Sequence, residues 1–118
     1  MYSRQVMIFA YENEINNIRS FWEIIDIANP DQYMIILHNK KCVPHYHIYL
    51  KFNQEKNIDS LANLLGIKTK DMIIGGNYNI VDAAKYMLQL ERNSEYRYSI
   101  LDLRTNADLR SLAKILCI

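Results

Sequence analysis

The chain has 118 residues, half of them hydrophobic, which is the material for one compact domain with a core and a covering layer of helices. No apolar run approaches the ~20 residues that span a bilayer, and Met1-Tyr2-Ser3-Arg4 leads into a strand-like segment and not a signal peptide, so no membrane association is expected. The formal net charge of +1 is not the footprint of a strongly basic nucleic-acid binder, and Cys42 and Cys117 match no metal or redox spacing, so an intracellular, reduced protein is expected.

Residues Gln5–Tyr11 read as a buried strand. Asn13 offers an N-cap for a helix through about Ala28, with Ile15, Ile18, Trp22 and Ile25 on one face. After the Asn29-Pro30-Asp31 turn, Tyr33–His38 reads as a second strand and His45–Phe52 as a third, joined by the loop Asn39–Pro44. Asp59–Leu65 reads as a helix stopped by Gly66. Met72–Ile74 reads as a short strand before a Gly75-Gly76-Asn77 turn, which lacks the lysine and context of a phosphate loop. Ile80–Leu90 reads as a helix, Tyr98–Leu103 as an edge strand, and Asn106–Leu116 as a last helix. Strands two and three, so closely joined, should pair antiparallel. The expected architecture is a single α+β domain over residues 1–118, of ferredoxin or RNA-recognition-motif type. Its antiparallel sheet carries helices on one face and leaves the other open or partly covered.

Charge is unevenly distributed. Residues 1–37 hold two basic and five acidic groups, residues 38–70 hold six lysines against two acids, and the remainder balances. The positive stretch surrounds the histidines, where a phosphate backbone would need it, although a solvated lysine-rich face gives the same pattern.

Side chains alternate across a strand. In the third strand Tyr46, Ile48, Leu50 and Phe52 form an apolar row for the core, while His45, His47, Tyr49 and Lys51 point the other way. Histidines at i and i+2 on one face are placed to share a metal ion, and His38, at the end of the neighbouring strand, could supply a third nitrogen. The alternative is three surface or hydrogen-bonded histidines with no ligand. In the helix Ile80–Leu90 the apolar stripe is Ile80, Ala83, Ala84, Met87, Leu88 and Leu90. Tyr86 falls outside it with Asp82, Lys85 and Gln89. It is either an exposed aromatic or a phenol presented to a substrate on the sheet. Tyr11 and Tyr49 are candidates for stacking on bases, whereas Trp22 lies on a core stripe. Asn53-Gln54 and Asn77-Tyr78-Asn79 read as polar loops able to contact DNA.

Pro44-His45-Tyr46-His47-Ile48-Tyr49-Leu50 resembles the His-hydrophobic-His motif of the HUH endonucleases, above all the replication initiators of small rolling-circle plasmids. In that group a Leu-His-Asp-like segment precedes the paired histidines, as Leu37-His38-Asn39 does here, and a tyrosine helix follows some forty residues later, as Tyr86-Met87-Leu88 does. The opening strand and its turn, Phe9-Ala10-Tyr11-Glu12-Asn13-Glu14, fit the same pattern.

The resemblance implies a ferredoxin-like HUH domain that nicks and joins single-stranded DNA. His38, His45 and His47 would bind Mn²⁺ or Mg²⁺, acting as a Lewis acid on the scissile phosphate. Tyr86 would be the nucleophile, giving a 5′-phosphotyrosine and a free 3′-hydroxyl. Lys40, Lys41, Tyr49, Lys51, Lys85 and Gln89 would contact phosphate or DNA. The implied partners are single-stranded or hairpin origin DNA and a helicase and polymerase from the host or the element. A homodimer would let two tyrosines serve initiation and termination. A plasmid- or virus-encoded cytoplasmic protein is implied.

Two departures from the family pattern stand out. Where relatives carry an aspartate after the first histidine, this chain reads Asn39-Lys40-Lys41, leaving Glu12, Glu14 or water as fourth ligand and favouring Mn²⁺ or a softer ion over Mg²⁺. Where many carry a lysine three residues after the tyrosine, this chain has Gln89. That glutamine also fits a single-tyrosine transposase. A non-catalytic nucleic-acid-binding domain is the reading from outside the enzymes.

Overall fold

A computed structural model describes residues 1–15 and 18–118, with side chains of the first helix from Phe21 onward. Five strands and four helices follow the order β1 (Tyr2–Tyr11), α1 (Ile18–Ala28), β2 (Gln32–His38), β3 (His45–Asn57), α2 (Ile58–Leu65), β4 (Met72–Ile74), α3 (Ile80–Leu88), β5 (Arg104–Thr105) and α4 (Leu109–Leu116). The strands form one sheet in the order β4-β1-β3-β2-β5, and every neighbouring pair is antiparallel. The chain is thus an α+β domain built on a five-stranded antiparallel sheet.

The two sheet faces are separate cores. Val6 and Ile8 of β1, Ile35 of β2 and Ile48, Leu50 and Phe52 of β3 pack against Phe21, Ile25, Leu61 and Leu65 of α1 and α2. On the opposite face Met34, Ile36 and Tyr49 pack against Ala83, Ala84, Met87, Leu88, Leu112 and Leu116 of α3 and α4. The expectation of helices on one face is therefore corrected. Tyr49 alternates onto the histidine side of β3, but that side also carries Met34 and Ile36 from β2, enough apolar surface to seat a second helical layer. The layer is incomplete: Met7, Phe9 and Ile73, on β1 and β4, face the same way and stay partly open, with Ile73 67 % exposed.

Caps fix the helix limits. Asn57 accepts the Ser60 N–H and Gly66 ends α2 in the left-handed region. Asn79 and Asp82 form a reciprocal capping box at the start of α3, and Gln89 ends it with φ 55°, two residues earlier than expected. Asp108 accepts from the Arg110 and Ser111 N–H groups, so α4 starts at Leu109 and not at Asn106. Asn106 instead ties β5 to the start of β2 through Tyr33 N–H and the Asp31 carbonyl.

Other boundaries also move. Glu12–Glu14 is one turn of 3-10 helix and Ile15 is extended, so no α-helix starts at Asn13. Ile15 packs against the core as expected, while the Ile18 side chain lies outside the described residues. The edge strand is Arg104–Thr105, because Ser99 and Asp102 cap each other across a 3-10 turn at Ile100–Asp102 and break extended pairing over Tyr98–Leu103. β3 runs on to Asn57, placing Asn53 and Gln54 within a strand. The Gly75–Gly76 turn is as expected, with φ of 78° and 99°. A Cβ at Gly76 would lie 2.9 Å from the Tyr78 ring.

Candidate active site

The histidine cluster follows from strand register. β3 pairs His45 with His38 on β2 and with Tyr11 on β1, and pairs His47 with Phe9. All three imidazoles face the α3 side, and one ligand nitrogen from each lies within 4.8 Å of the other two. The group contains no carboxylate, and among the described residues Glu12 and Glu14 are exposed on the turn after β1.

Each ring is oriented by its surroundings. His45 Nδ1 lies 2.7 Å from the Val43 carbonyl, which can only accept, so Nδ1 carries the proton and Nε2 the lone pair. His38 Nε2 lies 2.6 Å from the Met87 carbonyl, by the same logic leaving the lone pair on Nδ1. That lone pair accepts from the Gln89 side-chain amide at 3.2 Å. His47 is walled by the rings of Phe9, His38 and His45. Burial holds its pKa down to about 3, with the neighbouring His38 and His45 adding to the effect. Burial likewise lowers His38, against the opposing pull of the Met87 carbonyl. Such imidazoles stay neutral at physiological pH, the form that ligates metals, so this cluster could hold a metal ion.

Tyr86 lies where its helix phase places it. Its ring meets His47 edge-on with centroids 5.1 Å apart, and the residue is 58 % exposed. Its own turn is fastened to His38, through the Met87 backbone carbonyl and the Gln89 side-chain amide. Lys85 and Gln89 border a hollow beside Tyr86 together with Arg92.

The remaining sequence candidates divide. Lys40 and Lys41 are exposed near the cluster, but Lys40 Nζ donates to the Arg97 carbonyl and Lys41 pairs with Glu95 at 2.7 Å. Lys51 lies four residues beyond His47, about 13 Å along the strand, and is not brought to the site. Tyr49 is fully buried, and its stacking role is withdrawn: α3 covers it, and its hydroxyl donates to Gln5 Oε1 at 3.4 Å. Tyr11 is 38 % exposed and meets Phe9 edge-on. Trp22 packs against Tyr46 as a core residue should, with Arg104 over its ring. Tyr78 has a buried hydroxyl with no hydrogen-bond partner among the described residues, and burial pushes its pKa up to about 12.

Two contributors were not among the candidate site residues. Tyr98 stacks on His38, and its hydroxyl accepts the Asn39 and Lys40 N–H groups at 2.7 and 2.8 Å. Phe9 stacks on His45 with centroids 4.7 Å apart. Tyr98 belongs to no motif, and Phe9 drew notice only as part of the opening strand and its turn. Phe9 could have been found by pairing β1 with β3 in register, whereas Tyr98 lies in an aperiodic segment.

No protein-family model matches the chain, and neither does any curated protein. No described helix is long and apolar enough to cross a membrane.

Proposed function

We propose that this protein is a metal-dependent single-stranded DNA nicking and joining enzyme that starts rolling-circle-type replication, with Tyr86 as nucleophile. The observation that carries the reading is the edge-on contact of Tyr86 with His47, one of three clustered imidazoles. His38 Nδ1, His45 Nε2 and His47 would hold a divalent ion, with Mn²⁺ favoured over Mg²⁺ by an all-nitrogen donor set. The Gln89 amide now satisfies the His38 lone pair, and turned over it would offer an oxygen beside the same nitrogen. When bound, the ion supplies Lewis-acid polarisation of a non-bridging phosphate oxygen.

The chain's own residues do the rest. Tyr86 Oη attacks phosphorus, forming an O–P bond as the bond from phosphorus to the 3′-oxygen breaks. The phenol proton passes to solvent, and the departing 3′-oxygen takes one up as the free hydroxyl. The exchange conserves one phosphodiester linkage, so reversal needs no external energy source. Lys85 and Arg92, which share the hollow beside Tyr86 with Asp82 and Glu91, are the cations placed to meet the flanking phosphates.

The test is incubation with Mn²⁺ and a randomised pool of 3′-labelled single strands, followed by a denaturing gel. A labelled covalent adduct is expected, absent for Tyr86→Phe and absent in EDTA. An adduct that survives either change, or none with the unaltered protein, overturns the assignment. The reach of Gln89 to His38 favours, as second reading, a single-tyrosine transposase, which should prefer hairpins at element ends over an origin loop.

A further inference from the structure

Beside Tyr86, on the side away from Lys85, the uncovered part of the second sheet face forms a groove of ≈370 Å³, within the ~300–1,000 Å³ range of small-molecule sites. Its floor is Met7, Phe9 and Ile73 and its walls include His47, Tyr78 and Tyr86. Among the described residues, the formally charged ones along it are Asp71 and Asp82. Asp82 uses Oδ2 to cap Asn79, while Asp71 has no side-chain partner among the described residues.

We propose that this groove seats a guanine base of the bound strand, read by those carboxylates. This rests on the reading that the histidine face handles single-stranded DNA. An apolar floor with aromatic rings takes the π-face of any base, and two anions at the rim repel phosphate, so the base and not the backbone enters. Tyr86 and Asp82 border both this groove and the hollow that holds Lys85, Arg92 and Glu91, so the base would lie on one side of Tyr86 and the two cations on the other. A carboxylate only accepts hydrogen bonds. Guanine alone offers two adjacent N–H donors, N1 and N2, on its pairing edge, matching a carboxylate's two oxygens. Adenine and cytosine set a ring acceptor beside their amino group, and thymine has no amino group. The groove thus selects the nucleotide next to the cut.

The test measures anisotropy of labelled oligothymidylate, with and without one guanine, on the unaltered protein in EDTA, where no cleavage chemistry runs. The guanine should tighten binding on the order of tenfold. Inosine, which lacks the N2 amine, should lose most of that gain, as should the Asp71→Asn/Asp82→Asn protein. No binding, equal gain from adenine or cytosine, or full gain from inosine overturns the proposal, and the inosine arm needs no altered protein. Guanine preference without any Mn²⁺-dependent adduct would sink the nuclease reading alone. Adduct formation without guanine preference would sink this inference alone.

Discussion

The phenol ring of Tyr98 lies over the imidazole of His38, centroids 4.8 Å apart and 21° from parallel, while its hydroxyl holds the first two backbone N–H groups of the following loop. One side chain therefore orients a ligand ring and anchors the loop between β2 and β3. Tyr98→Phe removes only the anchor and should cost about 1 kcal/mol of stability, with metal affinity kept. Tyr98→Leu also removes the stack and should weaken Mn²⁺ binding on the order of tenfold. Thermal melts and metal titrations of both variants separate the two roles.

Gln89 combines a strained backbone with a contact to His38. Its φ of 55° disfavours any side chain, so Gln89→Gly should be about 1 kcal/mol more stable than Gln89→Ala. Both lose the amide, so both should bind Mn²⁺ equally and more weakly than the parent. Unequal metal affinity would show that the backbone, and not the amide, governs the site.

Acid should weaken the metal-free fold through the histidines. The folded rings of His47 and His38 resist protonation, whereas unfolded histidine takes a proton near pH ~6.5. The unfolded state then binds more protons, so stability is full above pH ~6.5 and falls as pH drops toward about 3, the value for His47. Melting temperatures in EDTA across that window should decline, and the decline should be shallower in His47→Gln.

Tyr78 carries a buried hydroxyl with no partner among the described residues. An unsatisfied group of this kind costs about 1–3 kcal/mol, so Tyr78→Phe should raise the melting temperature. Its covalent adduct with DNA should form as in the parent. Loss of the adduct would mean that Tyr78, and not Tyr86, is the nucleophile.

Local periodicity made much of this legible. The two-residue alternation of His45–Phe52 put the histidines on one face, and the helical phase of Ile80–Leu88 put Tyr86 outside its apolar stripe; both hold. What failed was non-local. Tyr49 sits in phase with the histidines yet is sealed beneath α3, because its fate depends on which neighbours β2 brings alongside. The edge strand at Tyr98–Leu103 lost to a capping pair, Ser99 and Asp102, that favours a turn over extension. Tyr98 and Gln89 reach His38 across 60 and 51 positions, separations no local pattern encodes.

The pairing of β3 with both β1 and β2 has a consequence for how this protein tolerates change. A one-residue slip of the whole of β3 would turn His45 and His47 into the layer beneath α1 and α2, and would turn Ile48 and Leu50 out of it. Such a slip moves both sets together, because donor geometry and the buried layer share a single frame. Length variation between Asn39 and Pro44 leaves the pairing of β3 alone, but it would disturb the Val43 carbonyl that orients His45 and the Asn39 and Lys40 N–H groups held by Tyr98.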